Sequence, residues 1–158
     1  MAAPDPVITD IADAVVAELN SKIAPQVPPP GGDPLPPLFV AARVYAPVFD
    51  LGEMKDLHVT VVTKAATAER FDRAARQFDY SIDVAVQKKL APEDGNAQID
   101  ALIGLVEQIG DYFYGTRLPA VSTAVCVRTD NDPIYSPDHM RDMRQFTSVL
   151  TLVFRVVR

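Results

Sequence analysis

The sequence predicts an α+β fold, a mostly antiparallel sheet with two main helices packed on one face. Three observations predict it. Apolar residues recur at helical spacing in two separated segments, 8–19 and 99–113, and alternate at strand spacing between and after them. The order is helix, strands, helix, strands, which is an α+β arrangement. With 158 residues, 48% of them hydrophobic and 23% charged, the chain has the balance of a single domain with an ordinary core.

The first helix rests on Ile8, Ile11, Val15 and Leu19, with Ala12 and Val16 beside them. Thr9 or Asp10 is the expected cap, and Asp10 and Asp13 suit the positive end of the helix dipole. Residues 1–24 therefore read as an N-terminal helix. Residues 25–37 hold Pro28-Pro29-Pro30, Gly31-Gly32, Pro34, Pro36 and Pro37. Proline has no amide donor and a fixed φ, so a proline-rich linker or arm is expected there. A ligand for a proline-binding domain is the other reading of that stretch. Residues 38–158 are expected to form the α+β core.

Within that core, 39–48 is apolar and reads as a strand, with Pro47 near its end. Residues 57–63 alternate, with Leu57, Val59 and Val61 on one face and His58 and Thr60 on the other. Residues 65–75 are rich in Ala, Arg and Glu and read as a short helix or an exposed loop. In 80–86, Tyr80, Ile82, Val84 and Val86 are expected to face inward, and Asp79, Ser81, Asp83 and Gln87 outward. A break at 92–96 precedes the clearest helix, striped by Ile99, Leu102, Ile103, Val106, Ile109 and Phe113. Gly110 weakens its last turn, and Gly115 is the expected stop. A strand over 121–128, a turn-rich connection over 129–137 and a short helical segment over 139–145 follow. Residues 146–157 close the chain as a long strand, with Phe146, Leu150, Leu152 and Phe154 on one side and Thr147, Thr151 and Arg155 on the other.

Charge and cysteine usage narrow the function. The formal net charge is -6, and Lys and Arg are scattered singly apart from Lys88-Lys89. A protein that grips DNA shows a clustered basic stripe, and none is visible in the sequence. The acidic balance implies solubility and weak repulsion from nucleic acid. The single cysteine, Cys126, excludes an internal disulfide and a cysteine metal site. Its place in Ala124-Val125-Cys126-Val127 makes it a buried small hydrophobe. No apolar run reaches the roughly 18 residues that span a membrane. Met1 to Asp5 show no basic and then apolar leader, so a reducing cytoplasm is the expected place of synthesis.

Motifs that carry chemistry are missing from the sequence. It has no glycine-rich phosphate loop, no Gly-x-Ser-x-Gly and no His-Glu-x-x-His. His58 and His139, its only histidines, have no partner at ligand spacing. Asp130-Asn131-Asp132 begins like a calcium loop, but the glycine and later glutamate are absent and Pro133 interrupts it. Asp79 and Asp83 share the polar face of one strand. Paired carboxylates can do acid–base work, but nothing apolar stands between them on that face, so an edge facing solvent or a partner is expected. No catalytic residue, cofactor site or metal site is therefore expected, and the chain does not read as an enzyme. Asp79, Asp83, Arg141 and Arg144 are the candidate subunit-interface residues, on outward spacing.

Three stretches resemble a known group. They are 79–89 (Asp-Tyr-Ser-Ile-Asp-Val-Ala-Val-Gln-Lys-Lys), the helix 99–109 (Ile-Asp-Ala-Leu-Ile-Gly-Leu-Val-Glu-Gln-Ile), and 132–137 (Asp-Pro-Ile-Tyr-Ser-Pro) running on into 144–155. In that order and spacing they are similar to the tail terminator and tail-completion (neck) proteins of long-tailed bacteriophages. The resemblance covers 39–158. It implies a structural virion protein at the tail–neck junction, assembled in the host cytoplasm. Such a subunit forms a homo-oligomeric, six-fold ring on the head-proximal end of the tail tube. It contacts the tail tube protein, the head-side connector or stopper protein and, in contractile tails, the sheath. DNA passes through the lumen without specific binding, and no membrane is involved. The alternatives are another neck protein (a head-closure or connector subunit) and a small cytosolic enzyme or ligand-binding domain without a familiar motif.

Overall fold

The structure, a computed structural model, describes residues 6–24, 39–46, 55–92 and 95–158. The proline-rich arm, Pro47 and the centre of the break at 92–96 lie outside the described residues. Helix α1 is Val7–Glu18, followed by a π-helical turn, Leu19–Ile23. Then come β1 (Ala42–Arg43), β2 (His58–Arg70), β3 (Arg76–Lys89), α2 (Asn96–Phe113), β4 (Val125–Asp130), α3 (Pro137–Met143) and β5 (Gln145–Val157). The strands form one sheet in the order β1-β2-β3-β5-β4. Every pairing is antiparallel except β1 with β2.

The core forms where strand alternation meets the two helical stripes. Cross-strand partners Val61, Val84 and Leu150 share one face, as do Ile82 and Leu152, and Tyr80 and Phe154. All are buried in one cluster with Ile11, Val15 and Leu19 of the N-terminal helix and Leu102, Val106, Ile109 and Phe113 of α2. Helix α1 lies over β1 and β2, and α2 over β5 and β4. Burying a side chain of this size contributes about 1.5–3 kcal/mol. Gly110 is buried within α2, and a side chain there would meet the Leu150 methyls at 3.8 Å. Gly115 takes the left-handed φ of 73° just past the helix end.

Four local expectations are corrected. Helix α1 starts at Val7, and neither Thr9 nor Asp10 caps it; the Pro6 carbonyl accepts from both of their amides. The expected helical stretch up to residue 24 ends in the π-helical turn Leu19–Ile23. A wider turn, with the Ala24 amide donating to the Leu19 carbonyl at 2.8 Å, keeps Leu19 and Ile23 in the core. Among the described residues the expected strand over 39–48 shrinks to Ala42–Arg43, in register with Thr60 and Val61, and the Val44 amide donates to the Val61 carbonyl at 3.0 Å just past it. The strand placed at 121–128 starts at Val125 instead, after a turn closed by the Ala124 amide on the Val121 carbonyl.

The largest correction concerns 65–75. Residues up to Arg70 are strand, not helix or loop, because each pairs across to β3, from Ala65 with Ser81 to Arg70 with Arg76. Strand formation follows cross-strand partners more than local preference, so the Ala and Glu content did not decide it. A tight turn joins the strands. The Asp72 carboxylate accepts from the Ala74 and Ala75 amides at 2.6 and 2.7 Å.

Candidate interaction surface

The second face of the sheet carries the polar half of each strand. Asp79, Ser81, Asp83 and Gln87 sit here on β3, beside Thr147, Thr151 and Arg155 on β5. No described helix covers it, apart from an α3 contact at one end, where His139 Nδ1 and Thr147 Oγ1 are 2.9 Å apart. Arg155 grips both carboxylate oxygens of Asp79, with Nε at 2.9 Å and Nη2 at 3.0 Å. That fork-to-fork geometry raises the Arg155 pKa, the Asp79 hydrogen bond being the main cause. The pair lines a hollow of about 320 Å³ with Thr67, Ser81, Val127, Arg128 and Val153. Asp83 accepts from the Thr151 hydroxyl at 2.6 Å and lies 3.5 Å from Lys64 Nζ.

The other two interface candidates lie elsewhere. Ser136 caps α3 by accepting from the His139 amide, and Pro137 sits in the first turn. Arg141, on α3, pairs with Asp138 and Asp142, both at 3.0 Å. Arg144 ends α3 in the left-handed conformation (φ 48°, ψ 44°), and its carbonyl accepts from the Leu90 amide at 2.7 Å. Gln145, next in the chain, pairs with Lys89, whereas Asp79 pairs with Arg155 at the far end of the same two strands. At the usual strand rise the two sites are roughly 30 Å apart. The four candidates therefore form two sites, not one edge.

The residues with reactive side chains are dispersed. Cys126 is fully buried, and burial pushes its thiol up to about 11, which suppresses the thiolate. His58 pairs with Gln87 on the polar face, and His139 lies on α3. Among the described residues no three His, Cys, Asp or Glu side chains gather as a metal site, and no helix is long and apolar enough to cross a membrane.

Two features were not visible in the linear sequence. Glu18 is buried on α1, where the Tyr112 hydroxyl of α2 donates to it and ties the two helices together. That bond, with burial, pushes the Tyr112 hydroxyl up to about 12. Asn20 likewise clamps Ala41, accepting from its amide at 2.7 Å and donating to its carbonyl at 3.1 Å. The second feature is a basic end. Arg70, Arg73 and Arg76 stand singly in sequence, but the β2–β3 hairpin brings them together, and backbone bonds between Arg76 and Arg158 add the end of β5. Exposed Phe71 lies at the same turn.

No protein-family model and no curated protein sequence matches the chain.

Proposed function

We propose that the chain is a structural subunit of a long-tailed phage particle, a tail terminator that rings the head-proximal end of the tail tube and joins it to the head connector. The observation that carries this reading is the asymmetry of the sheet. One face is spent on the core, while the other is polar and ion-paired around Asp79, Asp83, Thr151 and Arg155. The two flanks of the sheet also differ, one being the short β1 beside β2 with the β2–β3 hairpin running past it, the other β4 with α2 above it. Two unlike flanks suit a heterologous contact, which closes into a ring when the rotation allows. The order of motifs in 79–89, 99–109 and 132–155 supports the same reading. A formal charge of -6 suits a lumen through which DNA slides without sticking. The tail tube protein, the connector or stopper and, in contractile tails, the sheath are then its neighbours. His58, His139 and Cys126 carry no chemistry in this role.

The test is the position of the protein in a reconstructed particle, together with tail length in its absence. The expected result is a ring of copies at the head-proximal end of the tube, and tails of uncontrolled length when the chain is missing. A single copy or a two-fold dimer at that station, or a ring on the connector side with normal tail length, would sink the assignment.

A further inference from the structure

The hairpin end of the sheet is built unlike the rest of the chain. Lys64 to Arg70 are exposed on both faces of β2, so this length adds nothing to the core. Strand β1 pairs only with Thr60 and Val61, and among the described residues no strand lies beside β2 from Thr63 onward. Its free backbone groups form an open edge of the kind that accepts another strand. Residues 65–81 and 153–158 hold five arginines and three carboxylates, a formal +2 that leaves -8 for the remainder of a chain whose total is -6. Arg155 is paired with Asp79, but Arg70, Arg73 and Arg76 make no ion pair among the described residues.

A matching surface exists on the opposite flank. A groove of about 280 Å³ between α2 and β4 is lined by Glu107, Asp111 and Asp130 with Val106, Gly110 and Leu150. No Lys or Arg lines it, and its three carboxylates make no ion pair among the described residues. Because β2 and β4 lie on opposite sides of β3 and β5, hairpin and groove occupy different flanks of one subunit.

We propose that the β2–β3 hairpin docks onto a second copy of this chain, its Arg70, Arg73 and Arg76 facing the Glu107, Asp111 and Asp130 groove of the neighbour. The contact is heterologous, and an open chain of subunits keeps one unused hairpin at one end and one unused groove at the other until a ring closes. It deepens the ring reading above by naming the self-contact. Charge complementarity selects the occupant: among the described residues the groove has no cation, the hairpin end of the sheet has fewer carboxylates than arginines, and each chain supplies both halves. Glu69, Asp72 and Asp79, set among the arginines, count against a phosphate backbone as the partner.

The experiment uses the full chain and follows self-association by sedimentation over a range of concentration and salt. Wild type is expected to associate, more weakly as salt rises. Arg73→Glu with Arg76→Glu should weaken association about tenfold or more, and adding Asp111→Arg with Asp130→Arg should restore it. Separately, Arg73→Cys with Asp111→Cys should give an intermolecular disulfide on oxidation, which also tests the contact if the reversals impair folding. Four results would overturn the proposal: a wild type that never associates, association untouched by the arginine reversals, no rescue by the swap, or reversals that abolish binding to duplex DNA while association persists. The particle position judges the ring reading separately. A ring seen there with no effect of these reversals would remove this contact and leave that reading standing.

Discussion

The two faces of the sheet are made by the same strands and do opposite work. On β3, Tyr80, Ile82, Val84 and Val86 enter the core while Asp79, Ser81 and Asp83 turn away from it. The covered face excludes water over a continuous apolar cluster, so its residues set stability. The polar face holds its charges by Arg155–Asp79 and Lys64–Asp83 pairs that remain open to solvent. Exposed pairs of this kind contribute about 0–1 kcal/mol, since water screens them and the side chains lose freedom. Substitutions on one face should therefore test folding, and on the other, association.

The largest expected effect is on the covered face. Leu102→Ala removes a fully buried side chain between α2 and the sheet and should cost about 2–5 kcal/mol, read as a fall in denaturant midpoint with the slope unchanged. A change no larger than that of an exposed substitution would break the comparison, because that face would not be core.

A middle-sized effect is expected where the two helices meet. Tyr112→Phe leaves Glu18 without its hydroxyl donor and should cost about 1–3 kcal/mol. The pH dependence sharpens this. The Tyr112 hydroxyl has an ordinary value of 10.0 and is pushed up to about 12 in the fold, so the neutral form is favoured by folding. Its contribution is fully present below pH 10 and is lost as pH rises from 10 toward 12. Stability curves of wild type and Tyr112→Phe should converge across that window. Parallel curves would mean that the tyrosine does not titrate with folding.

The smallest effect should come from the polar face. Arg155→Ala should shift the denaturant midpoint far less than Leu102→Ala, with the small loss fading in high salt. A loss as large as that of Leu102→Ala would mean that the polar face carries stability too, and the division between the faces would fail.

Legibility followed how local the deciding interaction is. The α2 stripe and the alternation of β3 and β5 were readable because residues a few positions apart repeat a burial pattern that one face of a helix or strand must meet. The second half of β2 was not. Ala65, Ala66, Thr67, Ala68 and Glu69 have no buried side to alternate with, and their extended form rests on hydrogen-bonded partners beyond a turn. The candidate surface divides in the same way. The outward placement of Asp79 and Asp83 follows from strand period, but their separation from Arg141 and Arg144 depends on how β3 and β5 run past each other.

The sequence by itself determined the α+β class, the two apolar helix faces, the inward set of β3 and β5 and the buried state of Cys126, because periodic burial is written within short segments. Only the tertiary structure decided that Tyr112 reaches Glu18, that Asn20 holds Ala41, and that four scattered arginines, Arg70, Arg73, Arg76 and Arg158, meet at one end of an acidic chain. Those arrangements depend on which distant segments pair, and pairing is set by the register of the whole sheet, which no single stretch of sequence contains.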